Sequence, residues 1–339
     1  MFNKFVMCFA VIVAVAISGC IGQQQITGDN GVTIKGLYTD PQQDLIEVGD
    51  KLDIYYELQN IGGTVATNVM TTVYGITWIP ETERLEKYCE PIPNCQRGLT
   101  LYPPDPITKS PGGTKTIHFQ ILIDKDKVPL PSGLKKTFPL KLRTSFDYKT
   151  GATTVLQGYS KKRYITELQL GNQQTVIGDV STPVQTVITG TPISVSISGP
   201  DKIVVNDATQ NEPDRTIRYT YDITFTNAGS GYPIQPLENF GEGTEQGIIA
   251  TKLRIEGPGT TLYDCLDQNI QGNELNTVVK LRGGSVTKSC TIEIKNNYND
   301  ENSWFNREFN TINMYFDLSY RYFAEKDFSI SITKPIEYA

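Results

Sequence analysis

Past residue 30 the chain alternates. Leu52, Ile54, Tyr56 and Leu58 point one way while Asp53, Tyr55 and Glu57 point the other. Much later Ile217, Tyr219, Tyr221, Ile223 and Phe225 alternate with Arg218, Thr220, Asp222 and Thr224. A period of two puts successive side chains on opposite faces of a strand, and the enrichment in Tyr, Ile, Thr and Val agrees with strand geometry. No long segment shows helical periodicity. Each of these two strands runs into a turn that begins with asparagine, Asn60-Ile61-Gly62-Gly63 and Asn227-Ala228-Gly229-Ser230. Asn and Gly suit such turns because both tolerate left-handed backbone.

The two turns belong to a longer internal match. Val32-Thr33-Ile34-Lys35-Gly36 corresponds to Val195-Ser196-Ile197-Ser198-Gly199. Gly112-Gly113 leading to Phe119, Ile121 and Ile123 corresponds to Gly283-Gly284 leading to Cys290, Ile292 and Ile294. Phe138, Leu140, Leu142, Thr144 and Phe146 correspond to Met314, Phe316, Leu318, Tyr320 and Tyr322. The offset drifts upward along the chain, as unequal loop insertions in two copies of one topology would make it. Two copies are too few for a solenoid.

About seven short strands per copy, each with one apolar face, imply two stacked sheets around a core. The expected fold is all-β: tandem β-sandwiches over 31–170 and 192–336. Residues 171–191 are either a flexible linker or an added edge strand, since Thr175-Val176-Ile177 and 184–188 have strand-like composition. The segment Val48-Gly49-Asp50-Lys51-Leu52 through Asn60-Ile61-Gly62 to Ala66-Thr67-Asn68-Val69 resembles the CARDB-type immunoglobulin-like domains of prokaryotic surface proteins. The resemblance covers about 30 residues of the first copy and only the Asn-x-Gly turn of the second. It implies an Ig-like sandwich; it does not imply one task, because such sandwiches host many.

The N-terminus has a different pattern. Lys4 precedes an unbroken apolar run from Phe5 to Ile17. That run is short for a helix crossing a hydrocarbon core of about 30 Å, and is the length of a signal-peptide apolar region. It ends in Ile17-Ser18-Gly19-Cys20, which resembles the lipobox of prokaryotic lipoprotein precursors, and the sequence around it is similar to archaeal surface lipoproteins. The resemblance implies a signal peptide over 1–19, lipidation of Cys20, an uncharged tether over 20–30, and a place on the outer face of the cell membrane. Cys8 would leave with the signal peptide. Cys89, Cys95, Cys265 and Cys290 remain, and four cysteines allow three connectivities. Pairing Cys89 with Cys95 and Cys265 with Cys290 keeps each bridge inside one copy. Zinc is the competing use, but neither pair has C-x2-C spacing and an exported chain meets oxidising conditions.

Composition narrows the function further. Lys and Arg number 31 against 37 Asp and Glu, for a net charge of −6, which leaves no basic footprint for nucleic acid. The single histidine, His118, lies on a strand with Phe119 and Ile121 on the opposite face, so it is expected to point outward. No nucleophile elbow, phosphate loop or zinc-protease motif occurs, so no catalytic residue, metal or cofactor is assigned. Asp124-Lys125-Asp126 and the run from Asn297 to Glu301 are rich in oxygen ligands but read as solvated turns. Tyr102, Trp304 and Phe305 are the candidate ligand-contacting aromatics, Trp304 and Phe305 because they lie in a polar stretch that suggests exposure. The long insertion 79–111 and the loops of the second copy are candidate contact surfaces. The expectation is a lipid-anchored, non-catalytic surface protein that contacts other surface proteins through its loops. An accessory or substrate-capturing subunit of a transporter or secreted enzyme is the alternative. The sequence names no small-molecule ligand.

Overall fold

The computed structural model describes residues 31–78, 98–171, 186–188, 190–200, 202–207, 209–210, 214–234, 246–299, 304 and 309–336. Nearly all of the regular structure is antiparallel sheet. A three-stranded sheet has the order β1 (Val32–Asp40), β3 (Lys51–Asn60), β6 (Thr114–Leu122). A five-stranded sheet has the order β15 (Gln268–Gly272), β14 (Thr260–Cys265), β17 (Ser285–Asn297), β11 (Asp214–Asn227), β9 (Ile193–Ser198). A ten-stranded sheet draws its strands from both halves of the sequence. Its main path is β16 (Glu274–Lys280), β13 (Ile248–Glu256), β18 (Phe309–Thr333), β7 (Lys135–Ser160), β4 (Ala66–Tyr74), β5 (Leu99–Leu101). The alternation places the core as expected: Leu52, Ile54, Tyr56 and Leu58 are buried, as are Tyr221, Ile223 and Phe225.

The two longest strands organise everything else. β7 and β18 pair antiparallel without a break from Lys135↔Thr333 to Tyr159↔Phe309. At about 3.3 Å per residue this 25-residue ribbon is about 80 Å long. The first part of β7 pairs with β4, whereas the first part of β18 pairs with β13. Each long strand therefore begins in its own half and ends in the other. Short parallel strands close the two far ends, β2 (Ile46–Glu47) on β18 and β10 (Lys202–Val205) on β7. The arrangement is a pseudo-twofold whose axis passes between directly opposed Asp147 and Arg321.

That symmetry corrects the sequence alignment in two strands. Val32 pairs with Asn60 and Ile193 with Asn227, so Val32 corresponds to Ile193 rather than Val195. Tyr148 and Tyr322 each hydrogen-bond to the asparagine that opens their own half's turn, so they correspond to each other; the sequence had matched Tyr322 to Phe146. Both errors are slips of two residues. A two-residue slip keeps every side chain on its face, so alternation alone cannot detect it.

Residues 171–191 and their neighbours hold two further elements. Thr186–Ile188 form β8, an edge strand on β7. Before them lies a helix, α1 (Lys161–Gln169), in a chain whose alternation predicts only strands. Ser160 is its N-cap, its hydroxyl accepting from the Arg163 N–H at 3.2 Å, and Arg163 pairs with Glu167 one turn on. Ser followed by a charged stretch with i,i+4 partners was the sequence signal for it.

Candidate functional site

The sequence-selected residues do not converge. Cys20, Cys89, Cys95 and Phe305 lie outside the described residues. Cys265 and Cys290 are bonded to each other, at opposed positions on neighbouring strands β14 and β17. Tyr102 is exposed, just past β5, and its carbonyl accepts from the Gly113 N–H at 2.9 Å. Trp304, expected to be exposed, is fully buried. Its indole Nε1–H donates to the Pro258 carbonyl at 3.0 Å and its ring lies against Gly158 of β7, where a Cβ would overlap it. The polar neighbours that suggested exposure include Asn296, whose side chain instead accepts from the Trp304 main-chain N–H. Trp304 is a core residue with a satisfied polar edge, and it offers no face to a ligand. Trp78 is also buried, just past the end of β4, and lies edge-on to Phe138 with ring centroids 5.1 Å apart.

The residues that do converge lie at the waist, around the pseudo-twofold axis. Asn60 at the end of β3 donates to the carbonyls of Thr64 and Leu101, both at 2.8 Å, and accepts from the Gly62 N–H and the Tyr148 hydroxyl, both at 3.0 Å. Asn227 at the end of β11 repeats the motif: it donates to Gly231 at 2.6 Å and accepts from Gly229 at 3.3 Å and from the Tyr322 hydroxyl at 2.9 Å. Glycine is required at Gly62 and Gly229 because the tyrosine hydroxyl occupies the space a Cβ would take. Each half thus docks its turn on a tyrosine of the shared ribbon, and burial pushes the Tyr148 phenol up to about 12. Phe146 faces Tyr322 at 5.7 Å between ring centroids, and Tyr148 faces Tyr320 at 6.3 Å. These four rings are buried and form the centre of the core between the halves.

The opposite face of the ribbon is polar but closed. Arg321, only 4% exposed, donates to Asp147 Oδ1 at 2.8 Å, to the Ser145 hydroxyl at 2.8 Å and to the Asn68 carbonyl at 3.3 Å. Asn68 sits at a bulge in β4 with φ of 50° and donates to the other Asp147 oxygen at 2.7 Å. The Asn of the Ala-x-Asn-Val resemblance is therefore a left-handed bulge residue serving this ion pair, and Ala66 and Val69 are core. Next along the ribbon, Arg143 lies between the Tyr74 and Phe323 rings and meets Glu325 at 2.5 Å, with Lys141 at 2.8 Å from the same carboxylate. Burial acts to raise the Glu325 carboxyl, but hydrogen bonds from Lys141 and Arg143 outweigh it and hold the group below its usual range.

A second polar grouping lies on the outer face of the three-stranded sheet. Tyr38, Tyr55 and His118, on three adjacent strands, stack with centroid separations of 4.9 and 4.4 Å. His118 shares a hydrogen bond of 2.6 Å with Asp53, which also accepts from Gln120 at 3.0 Å. The rings present their faces to one another, which suits sheet stabilisation by cross-strand pairing. His118 thus lies on the solvent side of its strand, where the alternation placed it. Asp124 accepts from the Asp126 N–H at 2.9 Å, closing its own turn. Among the described residues no group of three or more His, Cys, Asp or Glu is placed to hold a metal, and no helix is long and apolar enough to cross a membrane.

No family model matches the chain, and no curated protein matches it in sequence. Among solved structures, a protein of unknown function from Porphyromonas gingivalis is similar at 11% identity and a TM-score of 0.18, over 78% of this chain and 83% of that one. A tip adhesin from Pseudomonas aeruginosa is similar at 8% identity and a TM-score of 0.17, over 90% of this chain and 99% of that one. At these scores neither likeness bears on fold or function.

Proposed function

We propose that the chain is a lipid-anchored module of the prokaryotic cell surface, made of two Ig-like sandwiches fused through one ribbon, that acts by contact with other surface proteins rather than by catalysis. The observation that carries this reading is the Cys265–Cys290 bridge, because structural disulfides persist in oxidising, extracytoplasmic surroundings. The lipobox-like Ile17-Ser18-Gly19-Cys20 supports the same address. The chemistry of the waist supports the mode of action. Its asparagines, tyrosines and ion pairs are spent on holding the halves to the ribbon, so the result is a stiff element about 80 Å long carrying exposed loops and edges. Rigid sandwiches that present loops are a common basis for protein contact.

Replacing Cys20 tests the anchor. The Cys20→Ser protein is expected in the medium while the native chain stays with the membrane fraction; a variant that remains membrane-bound defeats the lipid anchor. Residue-level cross-linking on intact source cells tests the mode of action. Links to other surface proteins, or between copies, are expected. Reproducible links to a single transporter or secreted enzyme would establish an accessory subunit instead.

A further inference from the structure

The connection from β5 to β6 is a short, closed finger. The Gly113 N–H donates to the Tyr102 carbonyl at 2.9 Å and the Asp105 N–H to the Ser110 carbonyl at 3.2 Å, so its two arms are tied together. Pro103, Pro104, Pro106 and Pro111 stiffen those arms, because each proline fixes its own φ. At the tip the Asp105 carboxylate accepts from the Ile107 N–H at 2.9 Å and from the Thr108 hydroxyl at 2.7 Å. Ile107 stands on this turn 90% exposed, the highest value of any large hydrophobic side chain among the described residues.

A single exposed aliphatic side chain is ordinary on a protein surface. This one differs in its surroundings. The turn is closed by its own bonds, so Ile107 is held outward. Asp105, which closes it, is half-buried, whereas Lys109 beside the tip is exposed. Tyr102 at the base is 66% exposed. An aliphatic tip with an aromatic ring and a cation behind it matches a bilayer interface: hydrocarbon takes the first, and the headgroup layer takes the other two. The Ile107 N–H and the Thr108 hydroxyl already have partners, so entry into an apolar layer leaves neither unsatisfied. The anchors that fill protein pockets are enriched instead in Trp, Tyr and Arg.

The finger is also rooted beside the first of the described residues. The Gly31 carbonyl accepts from the Ile61 N–H at 2.8 Å. The two residues before Ile61 hold the base of the finger. The Asn60 N–H donates to the Gly113 carbonyl at 3.0 Å, the Asn60 side chain to the Leu101 carbonyl at 2.8 Å, and the Gln59 side chain to the Pro111 carbonyl at 2.7 Å. Cys20 lies 11 positions before Gly31, a length of chain that spans at most about 40 Å. A lipid on Cys20 therefore keeps the root of the finger within that distance of the bilayer.

We propose that the finger over 102–113 is a second membrane contact, in which Ile107 enters the outer leaflet of a lipid bilayer while Tyr102 and Lys109 lie at headgroup level. The effect rests on the membrane-anchor reading, because one aliphatic side chain supplies only about a tenfold to a hundredfold preference for the apolar layer. That is too little to recruit a free protein. It is enough to orient one that a tether already holds at high effective concentration. Lipid and finger together fix the direction of the long ribbon relative to the membrane, where a tether alone leaves it free to swing.

Quenching by lipid tests the contact. The chain carrying Ile107→Trp is purified from its own membranes and reconstituted in phosphatidylglycerol vesicles with brominated acyl chains. Val278→Trp is the control: Val278 is 60% exposed on β16, at the opposite end of the ten-stranded sheet from β5. Trp78 and Trp304 are buried and give both variants the same background. The emission added by Ile107→Trp is expected to be quenched at least about threefold more than that added by Val278→Trp. Equal quenching in the two, or none in either, would overturn the proposal. A blue-shifted emission in Ile107→Trp without quenching would overturn it as well, and would place the finger in a protein contact. The measurement uses whatever chain is on the membrane. Retention of Cys20→Ser there would therefore remove the lipid anchor and leave this readout unchanged.

Discussion

Removing the carboxylate of Asp147 tests whether the two halves fold as one unit. Arg321 is 4% exposed and faces Asp147 across the centre of the ribbon. Truncation to Ala leaves a buried guanidinium with the Ser145 hydroxyl and the Asn68 carbonyl but without a counter-charge. Breaking a buried pair in this way costs about 3–5 kcal/mol, and the surviving hydrogen bonds place this case near the lower end. With a urea slope of about 3 kcal/mol per molar for a chain of this size, the midpoint should fall by about 1 M. Replacing both partners, Asp147→Leu with Arg321→Met, should recover most of the loss, because it removes the charge along with its partner. The two tryptophans make the assay informative. Trp78 packs on Phe138 in one half, and Trp304 packs on Gly158 in the other. Read by fluorescence in variants retaining one tryptophan each, both halves should show the same shifted midpoint. A shift at one tryptophan only would mean that the ribbon does not couple the halves, and the argument from strand exchange would fail.

Three further outcomes follow from local geometry. Cys265→Ala with Cys290→Ala opens a bridge spanning 25 residues and should cost about 3 kcal/mol in chemical denaturation; no change on reduction of the native protein would contradict it. Gly158→Ala drives a methyl into the buried Trp304 ring, with an expected loss of about 1–3 kcal/mol and an altered Trp304 emission; a neutral, spectrally silent substitution would refute the packing. Glu293 pairs with Arg218 at 2.8 Å, and that hydrogen bond, working against burial, holds its carboxyl below the usual 4.5. A depressed folded-state value contributes stability that is complete above 4.5 and is lost as the pH falls from there through the lower folded-state value. Glu293→Gln should therefore flatten the acid limb of the stability curve by about 1 kcal/mol, and superimposable acid limbs would show that the pair contributes nothing.

The sequence by itself determined which residues lie inside. Alternation is a local property, set by the pleat, and it marked the buried faces of β3, β11, β7 and β18 without reference to any neighbour. It also exposed the duplication and the two Asn-x-Gly turns, whose local bonds, Asn60 with Gly62 and Thr64 and Asn227 with Gly229 and Gly231, close within five residues. The helix α1 was legible in principle through Ser160 and the Arg163–Glu167 spacing. Other features depended on which strands meet. Nothing local distinguishes a strand that ends in its own half from one that continues into the other, so the exchange of β7 and β18 came only from the tertiary structure. The same holds for register, since a two-residue slip leaves every face unchanged. It holds for Trp304 too: its polar neighbours signalled solvent, and only the glycine gap in a strand more than 140 positions away, with a carbonyl from Pro258, made burial favourable. Nothing local sets Asp147 and Arg321 apart from other charges in alternating strands. Their partnership exists because the twofold places them opposite each other, where Asp147 supplies the counter-charge that the burial of Arg321 demands.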